Sequence, residues 1–178
     1  LAANFIVDAS SRGALTLEML DKIGLPRPQE TEIGIDLRYA TAVFEIPSSA
    51  PCNWRAVLHR PTAQSGRGGL LVPIENNCWQ VNLTSMHGEA VPESVGDFMA
   101  FAKTLRMQTI HDAIEGAVPV GRIHRFAFPC SIRRRFETLE SFPHCLLPLG
   151  DVICRFNPAF GQGMSVAAQE VVALKRLL

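Results

Sequence analysis

With 178 residues, 47% of them hydrophobic and 19% charged, the chain has enough apolar material for a sizeable core and lies outside the composition of disordered segments. Seventeen Lys and Arg residues balance seventeen Asp and Glu residues, so no net field attracts a polyanion; neither nucleic acid nor an anionic membrane surface is an expected partner. The five cysteines, Cys52, Cys78, Cys130, Cys145 and Cys154, show neither Cys-x-x-Cys nor Cys/His spacing, which argues against a metal site and a disulfide framework and fits a reducing, cytoplasmic setting.

The first apolar run, Phe5-Ile6-Val7, ends at Asp8 and reads as a buried parallel strand. Because no Met stands at Leu1, the expectation is a chain that starts inside a domain. Asp8-Ala9-Ser10-Ser11-Arg12-Gly13 reads as a turn, followed by a helix over residues 16–23 that Gly24 and Pro26 close. Alternating β-branched texture marks strands over 35–46, 54–59 and 69–74. Glu75-Asn76-Asn77 turns the last of these into a hairpin partner over 78–84, and the four segments predict an antiparallel sheet.

Residues 92–105 carry a helical pattern with Phe98, Phe101, Ala102 and Leu105 on one face and Ser94 as a candidate cap; a second helix is expected over 109–116. A strand is expected over 122–128, whereas 131–140 has no clear pattern. Arg122, His124, Arg125 and Arg133-Arg134-Arg135 form a basic stretch, read as a solvated strand face in preference to a phosphate contact. Residues 145–149 read as a short buried strand, and 165–178 as a helix with Val166, Ala167, Val171, Leu174, Leu177 and Leu178 apolar. The uncharged runs are broken by Pro or Gly and are too short to span a bilayer, and no basic segment precedes an apolar run as in a signal peptide. The predicted class is therefore mixed α+β and α/β: an antiparallel-sheet domain with helices over 33–128, inserted between 1–32 and 129–178.

One constellation carries chemistry. Gly150-Asp151 follows an apolar strand, and ten residues after Asp151 the run Gly161-Gln162-Gly163 opens a helix. That order places a carboxylate at the carboxyl end of a parallel strand, where open α/β sheets bind ligands. It also supplies the unpaired amides and positive dipole end of a helix start. Glycines there let a ligand approach the backbone. The five histidines, His59, His87, His111, His124 and His144, lack metal-ligand spacing, and Ser10, Ser11 and Ser131 lack a nucleophile elbow.

The run from Leu149-Gly150-Asp151 through Asn157-Pro158 to Gly161-Gln162-Gly163-Met164 resembles the second FAD fingerprint of the para-hydroxybenzoate hydroxylase-like flavoproteins, a group that includes squalene epoxidase-like enzymes. The resemblance implies that Asp151 holds the ribityl chain, that Pro158 lies beside the isoalloxazine, and that Gly150, Gly161, Gln162, Gly163 and Met164 face the ring and pyrophosphate. Val152 departs from the alanine usual in that motif. The Asp8 to Gly13 turn is similar to the Asp-containing turn, with a nearby Arg, that precedes the family's substrate domain; Asp8 and Arg12 would then be cofactor-binding.

By this resemblance, residues 1–32 and 129–178 are incomplete parts of a Rossmann-like FAD-binding domain and 33–128 bind substrate. One face of the middle sheet would roof the substrate pocket; Trp54, Trp79 and Phe44 lie on that sheet, where plain core is the commoner role. No Gly-x-Gly-x-x-Gly turn opens a βαβ unit, and Gly66-Arg67-Gly68-Gly69 enters a strand instead, so the isolated chain is expected to bind FAD weakly or not at all and to be inactive. The implied whole is an FAD-dependent monooxygenase acting on an apolar or aromatic small molecule, with NAD(P)H as a candidate electron donor. A flavin-dependent reductase of isoprenoid-type substrates and a non-catalytic binding domain stay open as alternatives. No catalytic acid or base is singled out.

Overall fold

A computed structural model describes residues 3–50, 54–62 and 64–177. Cys52 and Leu178 lie outside the described residues. The elements are β1 (Ile6–Asp8), α1 (Ala14–Lys22), β2 (Gln29–Glu45), β3 (Val57–His59), β4 (Gly68–Ile74), β5 (Cys78–Ser85), α2 (Val95–Lys103), α3 (Thr109–Ile114), β6 (Pro119–Arg135), β7 (Leu146–Pro148), β8 (Cys154–Arg155) and α4 (Gln162–Leu177). Short 3₁₀ turns occupy Phe136–Thr138, Gly150–Val152 and Pro158–Phe160. The class is mixed α+β: β1 pairs in parallel with β7, and the six-stranded sheet runs β3-β4-β5-β2-β6-β8. The chain divides into two compact units, Leu1–Gly34 with Cys130–Leu178, and Ile35–Pro129.

In the second unit the hairpin forms where its turn chemistry allows. Asn76 and Asn77 adopt left-handed φ of 61° and 54°, a region asparagine tolerates, and Ile74 then pairs with Cys78. Strict alternation in β2 and β5 sends Ala40, Ala42, Phe44, Val81 and Leu83 to one face. That face is covered by Phe98, Phe101 and Ala102 of α2 and Ile110, Ala113 and Ile114 of α3. Ser94 caps α2 as its position suggests: its hydroxyl accepts from the Asp97 amide at 3.1 Å and donates to the Asp97 carboxylate at 2.6 Å. Phe44 meets Phe98 with ring centroids 5.8 Å apart, and Trp54 stacks on Trp79. Phe44, Trp79 and Trp54 therefore belong to the core face.

Several expectations are corrected. β2 starts at Gln29, six residues before the predicted strand, and β6 continues to Arg135, through the start of the stretch left without a pattern. The leading Gln29-Glu30-Thr31-Glu32 is exposed, so its pairing leaves no hydrophobic alternation to read. β1 is parallel, as expected, but not buried: Phe5 and Val7 are about two-fifths exposed, because β1 has a single strand neighbour among the described residues. β7 does bury Leu146 and Pro148. α4 begins at Gln162, three residues early, and none of its described residues is buried. In the basic stretch Arg122, His124, Arg125 and Arg133 are exposed, as on a solvated strand face, whereas Arg134 is buried and Arg135 half-buried. Among the described residues no helix is long and apolar enough to cross a membrane. Cys78, Cys130, Cys145 and Cys154 carry free thiols.

Candidate functional site

The parallel register Asp8↔Pro148 brings the carboxyl ends of β1 and β7 side by side, and the Leu149 amide donates to the Asp8 carbonyl at 2.9 Å. Two turns leave from these neighbouring strand ends, residues 8–13 and 149–153. Asp8 is buried, and its carboxylate is occupied from within the chain. The Ser10 amide donates to Oδ1 at 3.0 Å, and the Thr16 amide and hydroxyl donate to Oδ2 at 3.0 and 2.5 Å. The Asp8 side chain thus closes the first turn of α1. Burial pushes its carboxyl pKa up, but the hydrogen bonds from Thr16 and Ser10 outweigh burial and hold it below the ordinary value. Arg12 is exposed and has no hydrogen bond or ion pair with other described residues.

Gly13 locks the first turn to the second. It has φ +65°, and a Cβ there would meet Val152 Cγ1 at 3.0 Å and Arg134 Nη1 at 3.3 Å. In the second turn Gly150 adopts φ +62° and donates its amide to Glu170 Oε2 of α4 at 2.6 Å, while its carbonyl accepts from Ile153 at 2.9 Å. Val152 is fully buried. Asp151 is half-buried, and its carboxylate has no hydrogen-bond partner among the described residues. Its Oδ1 lies 3.7 Å from where a Cβ of Gly163 would project, so the carboxylate stands over the first turn of α4.

The intervening segment is shaped by local caps. Asn157 Oδ1 accepts from the Ala159 amide at 2.9 Å, starting the turn that contains Pro158. Gly161 ends that turn with φ +65°, and a Cβ there would meet nothing within 4 Å. Pro158, Gly161, Gln162 and Met164 are exposed, and Gly163 is half-buried. The structure therefore brings Gly150, Asp151 and Gly163 together, with Pro158 to Met164 as an open approach to the start of α4. Asp8 supports them from below through backbone, and Arg12 joins no contact. Sequence reasoning missed Glu170 and Arg134, because each acts on the turn from a distant part of the chain.

The donor set suits a flavin nucleotide. An acceptor carboxylate without a partner can take hydroxyl donors, and the first amides of a 16-residue helix favour anionic or electron-rich groups. The Cβ-free surface at Gly161 and Gly163 permits close approach. For a metal, His111, Asp112 and Glu115 on and just after α3 bring their ligand atoms within 4.8 Å, with both carboxylates exposed.

In the second unit, the sheet face away from α2 and α3 carries Tyr39, Thr41 and Val43 of β2 opposite Thr84, Asn82 and Gln80 of β5. These residues are half-buried and uncharged. Burial pushes the Tyr39 phenol pKa up to about 12, and Asn82 Oδ1 is buried without a hydrogen-bond partner.

No protein-family model matches the chain. It is 32% identical over its 178 residues to "Protein Rv3254" of Mycobacterium tuberculosis, of which it spans 37%. Among solved structures it is similar to the flavin-dependent brominase Bmp2, with TM-score 0.64 and 16% identity over 94% of this chain and 40% of that one. A flavoprotein/dehydrogenase from Cytophaga hutchinsonii gives TM-score 0.62 and 15% identity over 93% of this chain and 38% of that one. The anhydrotetracycline hydroxylase OxyS of Streptomyces rimosus gives 0.54 and 15% over 94% and 30%. The fold is thus one found in flavin-dependent proteins.

Proposed function

We propose that the chain is the flavin-facing part of an FAD-dependent oxidoreductase, with residues 1–32 and 129–178 contributing to the FAD-binding domain and 33–128 forming the substrate-binding domain. The observation that carries this reading is the unpartnered Asp151 carboxylate over Gly163 at the start of α4. Asp151 would accept hydrogen bonds from the ribityl hydroxyls, and the amides of Gln162, Gly163 and Met164 would face the ring and pyrophosphate. Pro158 and Gly161 would keep that approach shaped and free of side-chain bulk. FAD, when bound, would supply the redox chemistry and the activation of oxygen. Asp8 stays with its own turn, so its contribution is to hold the loop rather than to touch the cofactor.

Hydroxylation, halogenation or epoxidation of an apolar or aromatic small molecule fits the uncharged face of Tyr39, Thr41, Val43, Gln80, Asn82 and Thr84, with NAD(P)H as electron donor. Tyr39 would act there as a neutral hydrogen-bond donor, and Asn82 would take a hydroxyl or N–H of the substrate. The likeness to a flavoprotein/dehydrogenase supports a second reading, oxidation or reduction without oxygen insertion. Oxygen uptake stoichiometric with product separates the two. Reconstitution of the full-length gene product with FAD tests the shared premise: bound flavin supports it, and a protein that takes up none refutes it.

A further inference from the structure

Of the three consecutive arginines, Arg134 alone is buried, at 6% exposure, and Asp8 and Arg134 are the buried charged residues among those described. A buried guanidinium needs partners, and the partners here single out one turn. Its Nη1 donates to the Val152 carbonyl at 3.0 Å, and its backbone amide donates to the Ile153 carbonyl at 2.8 Å. Side chain and main chain of one residue thus hold two successive carbonyls immediately after Asp151. Its Nε donates to Glu30 Oε1 at 2.7 Å, which fixes the guanidinium from the other side. The Cβ-free side of Gly13 closes against both Val152 and Arg134, where a Cβ would stand 3.0 Å from Val152 Cγ1 and 3.3 Å from Arg134 Nη1.

We propose that Arg134 is a positioning residue for the cofactor turn: by holding the Val152 and Ile153 carbonyls it sets the direction in which the Asp151 carboxylate points toward the start of α4. This rests on the flavin reading above. Arg134 touches no cofactor itself. Its role differs from that of a simple ion pair with Glu30, because the Glu30 carboxylate is well exposed and can be solvated when unpaired, whereas the Val152 carbonyl is left without its donor. Lysine cannot copy the fork, since one ammonium cannot serve both directions in the same plane.

The test compares the wild type, Arg134→Met, Arg134→Lys and Glu30→Gln in the full-length gene product. Amide hydrogen exchange across residues 150–153 is measured alongside FAD affinity. In Arg134→Met the exchange of these amides should quicken by tenfold or more relative to the rest of the fold, and FAD should bind about tenfold more weakly. Arg134→Lys should fall between, and Glu30→Gln should stay near wild type in both. Unchanged exchange at 150–153 in folded Arg134→Met overturns the proposal, and so does quickened exchange with unchanged FAD affinity. If Arg134→Met does not fold, the lysine variant decides, since wild-type exchange and affinity there exclude a need for the fork. A wild type that binds no FAD refutes the flavin reading, while the exchange data still report whether Arg134 holds the turn.

Discussion

The amide of Gly150 donates to the carboxylate of Glu170 at 2.6 Å, a bond across 20 residues that ties the turn after β7 to the third turn of α4. A charge-assisted bond of this kind contributes about 1.5–3 kcal/mol when partly buried. Glu170→Ala should lower unfolding stability by about 1–2 kcal/mol, read by urea denaturation, because Gly150 is only half-buried and water can replace part of the loss. Glu170→Gln, which keeps an acceptor, should lose less than half of that. Equal losses in both variants would mean that the bond is not what α4 contributes.

Gly13 links the two turns sterically. Gly13→Ala introduces a Cβ 3.0 Å from Val152 Cγ1 at a left-handed φ, so it combines backbone strain with overpacking. The expected cost is about 2–3 kcal/mol by denaturation. A thermal midpoint unchanged from wild type would show that the turn yields freely.

Asp8 sets an acid limit. Its folded pKa lies below the ordinary value of about 4, so its contribution is fully present above that value and is lost as pH falls through the folded pKa. The stability gap between wild type and Asp8→Asn should therefore be largest from neutral pH down to about 5 and shrink below about 4. Urea midpoints measured from pH 7 to pH 3 check this, and a gap that widens toward acid contradicts it. Thr16→Ala, which removes a bond to the same oxygen, should cost about 1–3 kcal/mol at pH 7.

Local chemistry made much of this fold legible. Asn76 and Asn77 announced their hairpin, Ser94 its helix, and Gly150-Asp151 with Gly161-Gln162-Gly163 the strand-turn-helix order of the candidate site. What stayed hidden depended on distant partners. Nothing near Arg134 reveals that Glu30, 104 residues earlier, would meet it and make its burial tolerable. Nor does Gln29-Glu30-Thr31-Glu32 look like a strand, since it pairs without burying a face. Asp8 reads as a cofactor residue from the sequence, where a strand-end carboxylate looks the same whether or not its oxygens accept from its own turn, as those of Asp8 do.

In the second unit, Phe98 joins α2 to the sheet and is fully buried against Phe44. Phe98→Ala should cost about 3–5 kcal/mol, as large aromatic truncations in packed cores do. Phe98→Leu should cost markedly less. Comparable losses for the two, read from chemical denaturation, would show that the site does not depend on ring volume.

If Asp151 at the start of α4 holds FAD, the flavin content of the purified protein depends on its carboxylate. Wild type, Asp151→Asn and Asp151→Ala of the full-length gene product are purified together and their bound flavin is quantified by visible absorption per polypeptide, with thermal midpoints recorded. A cofactor-holding Asp151 gives near-stoichiometric flavin in the wild type, a partial loss with asparagine and a loss of tenfold or more in affinity with alanine. The midpoint without cofactor should be unchanged, since the carboxylate has no partner among the described residues. An Asp151→Ala protein that keeps the wild-type flavin content would contradict it.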